Sequence, residues 1–257
     1  MSKSVNELGP LILNVKGVWK SFEDKDVLKG IDLEVYRGQI VALIGSSGSG
    51  KSTLLRSVNL LEEISDGQIL LNDVDVSDPR IDQDEIRRQI GLVFQAYNLF
   101  AHLSIVENIT LALRHVQGLT KEDAKARALG LLERIGLAEK ADEYPDKLSG
   151  GQQQRTAIMR AVALNPTLLL LDEVTSALDP ELVSEVLELI RDLKASGTSI
   201  LMATHELSFA RDVADWVVFL DGGVIIEEGP AKEFFSNPQM PRTIEFLQRL
   251  RRRAGEQ

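Results

Sequence analysis

The sequence predicts an α/β fold: a parallel sheet flanked by helices, joined by an antiparallel β layer and an inserted helical subdomain. Three observations predict it. Short apolar runs of strand length alternate with amphipathic helical patterns in both halves of the chain; a glycine-rich loop stands directly between one such run and a helix; and the stretch from about Tyr97 to Ala163 reads almost wholly helical. At 257 residues, with 44% hydrophobic and 26% charged side chains, the chain can bury a large core and has no disorder signature.

In chain order, Leu11 to Lys16 and Ile31 to Tyr36 alternate in the β manner, and Gly67 to Val74 gives a third strand; together they make the antiparallel layer. Gln39 to Ile44 is an apolar run followed by Gly45-Ser46-Ser47-Gly48-Ser49-Gly50-Lys51-Ser52 and then by a helical pattern from Ser52 to Leu61. Ile90 to Phe94 is a further strand. Thr120 opens a helix, with Asp123 three residues on and Ala124, Ala128, Leu131, Leu132 and Ile135 at helical spacing. Leu168 to Leu171 restores the strand pattern. A helix runs from Pro180 to about Leu193, Ser199 to Thr204 and Trp216 to Leu220 are strands, and Asp221-Gly222-Gly223 turns the chain into Val224 to Ile226. Strands separated by helices imply parallel pairing with helices on both faces.

Charge and composition exclude several classes of function. A net charge of −10 argues against a nucleic-acid partner, which needs clustered Lys and Arg. The absence of cysteine removes disulfides, thiolate catalysis and thiolate-bound zinc. The polar opening from Met1 to Pro10 carries no leader pattern, and no apolar run approaches a membrane span. Four arginines between Arg249 and Gln257 are expected to form a solvated helix end, a membrane-surface or partner contact being the alternative.

Three segments carry chemistry. Gly45 to Ser52 fits G-x-x-x-x-G-K-[ST] in its required strand–loop–helix setting, so backbone N–H groups and the helix N-terminus are expected to cradle a polyphosphate. Lys51 would reach the β and γ phosphates, the Ser52 hydroxyl would ligate Mg²⁺, and Thr53, next along the helix, is counted with the nucleotide-binding residues. Asp172 and Glu173 end the run Leu168 to Leu171, which places two carboxylates at the carboxyl edge of a buried strand. Asp172 is then the metal ligand and Glu173 the base that aligns water. Ser149-Gly150-Gly151-Gln152 begins a helical run and offers a second anion site. One nucleotide does not readily need both anion sites, so two chains arranged head to tail are expected, each offering Leu148 to Gln152 to the phosphate held by the other.

With Leu148-Ser149-Gly150-Gly151-Gln152 lying between the phosphate loop and Asp172-Glu173, the chain resembles the ATP-binding subunit of an ABC transporter, over about Leu11 to Leu250. The resemblance implies a P-loop ATPase core spanning residues 11–250 as a single nucleotide-binding domain, with a helical subdomain at about 97–163 and a basic tail at 251–257. It also implies roles: Phe22 stacking on adenine, Gln95 sensing Mg²⁺ and the attacking water, Asp179 communicating across a homodimer, and His205 contacting the γ-phosphate. Taken singly, Phe22 could be core, Gln95 a strand cap, Asp179 an N-cap before Pro180 and His205 a buried histidine. Two positions depart from the family pattern: Val174 stands where proline commonly follows the base, and Phe22 replaces the frequent tyrosine.

Val93 to Phe100, the run Gln152-Gln153-Gln154-Arg155, Glu233 to Pro238 and Arg242-Thr243-Ile244-Glu245-Phe246-Leu247 are most similar to ATPases of bacterial importers for polar amino acids. The implied activity is hydrolysis of ATP to ADP and phosphate at the cytoplasmic face of the membrane. The implied partners are integral-membrane permease subunits, gripped by the segment after Gln95, and indirectly an extracytoplasmic binding protein. No additional regulatory domain is expected after Leu250. The alternatives are the same role for compatible solutes such as ectoine or betaine, and a soluble ABC ATPase outside transport.

Overall fold

A computed structural model describes residues 9–23 and 25–253. The ends of the polar opening and of the arginine tail, residues 1–8 and 254–257, lie outside the described residues. The chain forms two compact units, residues 1–83 with 199–257 and residues 84–198.

In the first unit, strand β1 (Leu11–Phe22) pairs antiparallel with β2 (Lys25–Tyr36) on one side and with β4 (Asp66–Leu71) on the other, and β4 carries the two-residue β5 (Val74–Asp75). β1 runs beyond the expected Lys16 because register shifts, one spanning Gly17 at φ 53°, carry the pairing past the break in alternation. The strand β3 (Ile40–Ile44) lies parallel to both β8 (Ile200–Ala203) and β9 (Trp216–Asp221). Every residue of β3 is buried, the pattern of a central parallel strand. β10 (Val224–Pro230) returns antiparallel beside β9 through Gly222 and Gly223 at φ 59° and 89°, the double positive φ that a two-residue hairpin turn requires. Helices α1 (Lys51–Val58), α7 (Leu207–Val213), α8 (Ala231–Ser236) and α9 (Pro241–Arg253) complete the unit.

The second unit starts in α2 (Gln83–Gln89), which leads into β6 (Ile90–Val93). β6 pairs parallel with β7 (Leu168–Asp172), Ile90 opposite Leu168 and Val93 opposite Leu171. All four leucines of β7 are 0% exposed, so truncating one to alanine costs about 2–5 kcal/mol. Between these strands come α3 (Ile105–His115), α4 (Lys121–Arg134), single 3₁₀ turns at Ala138–Lys140 and Pro145–Lys147, and α5 (Gly150–Val162). α6 (Pro180–Ala195) follows β7 and packs on α5. Ser104 and Glu107 close a capping box on α3, and the Thr120 hydroxyl caps α4 by accepting from the Asp123 amide at 3.1 Å. Four helices absent from the sequence reading, α2, α7, α8 and the body of α9, are therefore present. Among the described residues no helix is long and apolar enough to cross a membrane.

Candidate functional site

β3 delivers the chain to Gly45 at the edge of its sheet. A Cβ there would lie 2.1 Å from the Leu220 carbonyl oxygen of β9 and 2.8 Å from Ser49 Oγ, so only glycine fits. Gly50, at φ 106°, is the N-cap of α1 and supplies no side-chain cap, and no acidic residue stands in the first turn of α1. The helix thus presents its positive end to the loop. Lys51 is 4% exposed, and its ammonium donates to the carbonyls of Gly45 at 3.0 Å and Ser46 at 3.2 Å. The buried Ser49 hydroxyl has no hydrogen-bond partner among the described residues. A cradle with a desolvated cation, a polar atom to spare and a helix N-terminus suits a phosphate chain.

His205, just beyond β8, is exposed and faces the same loop across a cleft of about 270 Å³ that Gly45, Ser46 and Ser47 also line. It is not the buried histidine of the plainer alternative. The loop and His205 are brought together in the first unit. Phe22 ends β1 with 42% exposure, so it is not core; the Lys20 ammonium stands 4.5 Å from its ring centroid.

The second unit holds the remaining residues. Asp172 ends β7 at 4% exposure, and Glu173 follows in the left-handed region at φ 49°. Glu173 is fixed there by its carbonyl, which accepts from the Ser176 amide at 3.0 Å and the Ser176 hydroxyl at 2.8 Å. The Ser176 amide and hydroxyl thus hold the Glu173 backbone where Val174, not proline, follows. Gln95 lies two residues past β6 and is exposed.

At the start of α5, the Ser149 hydroxyl accepts from the Gln152 amide at 3.3 Å, and the Gln152 carboxamide oxygen accepts from the Ser149 amide at 3.1 Å and the Lys140 ammonium at 3.3 Å. A Cβ on Gly150 would stand 2.6 Å from Tyr97 Oη, and one on Gly151 3.1 Å from Leu182 Cβ, so close neighbours explain both glycines. Asp179 occupies the N-cap position of α6, but its side chain makes no capping bond and is exposed.

Arg160 escaped the sequence reading. It projects from α5, donates to the Asn98 carbonyl at 2.7 Å and the Tyr97 carbonyl at 3.4 Å, and lies 5.5 Å from the Phe100 ring centroid. Burial holds its guanidinium below the usual arginine range. A lone charge inside the otherwise apolar run Ala157 to Ala163 was the signal available.

No group of three or more His, Cys, Asp or Glu side chains placed to hold a metal occurs among the described residues. Ser52 at the start of α1 and Asp172 at the end of β7 each carry an oxygen donor of the kind Mg²⁺ takes.

The model of the ABC transporter family matches residues 28–176, more than half of the chain. The chain belongs to the ABC transporter family. This ABC protein is 48% identical to the glutamine transport ATP-binding protein GlnQ of Geobacillus stearothermophilus, over 90% of this chain and 96% of that one. It is 50% identical to the L-cystine transport system ATP-binding protein TcyN of Escherichia coli, over 93% and 98% of the two chains. Among solved structures, the dimeric post-hydrolysis state of the ATP-binding cassette MJ0796 bound to ADP and Pi superposes with a TM-score of 0.76 at 32% identity, over 86% of this chain and 99% of that one. The ABC protein therefore has the α/β P-loop ATPase fold that the sequence predicted.

Proposed function

We propose that this ABC protein is the ATP-hydrolysing subunit of an importer for polar amino acids. The observation that carries the proposal is near-end-to-end similarity to amino-acid transport ATP-binding proteins, combined with a phosphate loop whose buried Lys51 is already aimed at its own carbonyls. In this scheme two copies clamp two ATP molecules head to tail. Each phosphate chain lies on the amides of Gly45 to Thr53 of one copy, meets Ser149 to Gln152 at the start of α5 of the other, and takes its adenine on Phe22.

Glu173 accepts a proton from the attacking water, while Gln95 and His205 hold that water and the γ-phosphate in line. Mg²⁺, when bound through Ser52 and Asp172, neutralises phosphate charge. Asp179 carries the closed state from one copy to the other. Hydrolysis removes the γ-phosphate that favours closure, and reopening moves the permease subunits at the cytoplasmic face of the membrane. The permease helix would be gripped by the segment Tyr97 to Phe100 in the helical subdomain at about 97–163, and the substrate delivered by an extracytoplasmic binding protein.

The test is to purify the tagged chain from its native membranes, identify what co-purifies, and assay ATP hydrolysis with polar amino acids and compatible solutes. A co-purifying permease and stimulation by one amino acid, presented on its binding protein, is the expected result. Stimulation by a compatible solute alone would overturn the substrate class. Recovery without any membrane partner would overturn the transport role.

A further inference from the structure

We propose that Arg242, in the first turn of α9, is a positioning residue for the phosphate loop, acting by neutralising and aiming the Asp221 carboxylate that holds Ser46. The proposal rests on the nucleotide-binding role given above to the loop. Asp221 closes β9, and its two oxygens do different work. Oδ1 accepts from the Ser46 hydroxyl at 3.1 Å, and Oδ2 accepts from Arg242 Nε at 2.7 Å. A second Arg242 nitrogen donates to Glu245 at 2.8 Å, so the guanidinium is held from two sides.

α9 is itself fixed to this unit. Phe246 stacks on Phe219 of β9 with ring centroids 4.6 Å apart, and the amides of Gln239 and Met240 donate to Glu227 of β10 at 2.7 and 3.0 Å. A salt bridge that served only to anchor α9 would need no contact with the loop. The Ser46 bond is what distinguishes this one.

Electrostatics requires the arginine. Asp221 stands one hydrogen bond from a loop that must accept several phosphate charges, and an unneutralised carboxylate there repels them. The Arg242 guanidinium holds the Asp221 carboxyl below its usual range, with the Ser46 bond adding to the effect against the opposing push of burial. The carboxylate is therefore ionised across the neutral range, charged enough to grip Ser46 and cancelled enough to admit ATP. The C-terminal helix thereby acts on the first turn of the loop without touching the nucleotide.

The experiment is calorimetric titration of the full chain with ATP in the presence of Mg²⁺, alongside thermal melting without nucleotide. Arg242→Ala is expected to weaken ATP binding about 3- to 10-fold. Adding Asp221→Asn, which removes the exposed charge and keeps an acceptor for Ser46, is expected to recover most of the loss. Arg249→Ala takes the same charge from the same cleft without contact to Asp221 and is expected to cost clearly less affinity than Arg242→Ala. Affinity unmoved by Arg242→Ala, no recovery with Asp221→Asn, or an equal loss with Arg249→Ala would each overturn the proposal. Should Arg242→Ala fail to fold, the milder charge-removing Arg242→Gln takes its place and is read the same way, with and without Asp221→Asn. If the unaltered chain bound no ATP, the nucleotide-binding role would fall too; if it bound ATP and these variants behaved alike, only the role of Arg242 would fall.

Discussion

Gly45→Ala tests whether the loop owes its shape to contact with β9. The new Cβ would meet the Leu220 carbonyl oxygen at 2.1 Å, about 0.9 Å inside the 3.0 Å that real Cβ atoms respect. Neither side can yield cheaply. Leu220 is fully buried in β9 and paired with Ile225 of β10, while Gly45 is tied through its carbonyl to Lys51. Overpacking of this severity costs about 3 kcal/mol. Charged to the binding-competent loop, that lowers ATP affinity by about two orders of magnitude, at 1.4 kcal/mol per tenfold. Gly48→Ala is the control: its Cβ would meet nothing within 4 Å, although φ is 78°. Its cost is the left-handed backbone alone, about 1 kcal/mol. Urea denaturation and calorimetric ATP titration of both variants separate the contributions, with an expected gap of about 30-fold in affinity. Equal behaviour of the two variants, or a Gly45→Ala chain that binds ATP like the unaltered one, would refute the steric reasoning.

Three further outcomes are expected. Glu173→Gln should retain ATP binding, trap the closed dimer and lower turnover by at least about 100-fold; undiminished hydrolysis would remove Glu173 as the base. Arg160→Ala strips two donors from the carbonyls of Tyr97 and Asn98 and should cost about 1–3 kcal/mol in chemical denaturation, whereas an unchanged midpoint would show that α5 does not hold that segment. The Glu107 carboxyl is held below its usual range, first by the Ser104 amide of the capping box. Because its folded pKa is depressed, its stabilisation is complete above the unfolded value near pH 4.3 and is lost as pH falls through the lower folded value. Glu107→Gln should therefore flatten the melting temperature between about pH 5 and pH 3, and an unaltered acid slope would contradict the assignment.

Elements that carry their own period were legible in the sequence. β3 and β7 are unbroken apolar runs, α4 and α6 show repeated apolar positions, and each falls within a few residues of its expected place. α2, α7 and α8 are six or seven residues long with one to three buried positions, too few for a 3.6-residue period to emerge. Tertiary contacts fix them instead. The phosphate loop could be read because its glycines and lysine stand at fixed spacing between a strand and a helix. Asp221 and Arg242 could not be paired by reading, since the contact joins a strand end to a helix start across a hairpin and a further helix. Phe22 and His205 were legible as residues to watch, but their exposure emerged only from the fold.

The state of Lys51 has a consequence for selectivity. With its ammonium buried and already solvated by Gly45 and Ser46, the loop does not wait as a bare charge; an arriving anion must outcompete two carbonyls. A single small anion gains little from that exchange. A triphosphate, able to engage the loop amides and the ammonium together, gains enough to displace the carbonyls, so the loop discriminates by the number of contacts a ligand can make at once. Binding then becomes an exchange of partners inside a desolvated pocket, and simple salts should compete for it far less than they do for a lysine at the surface.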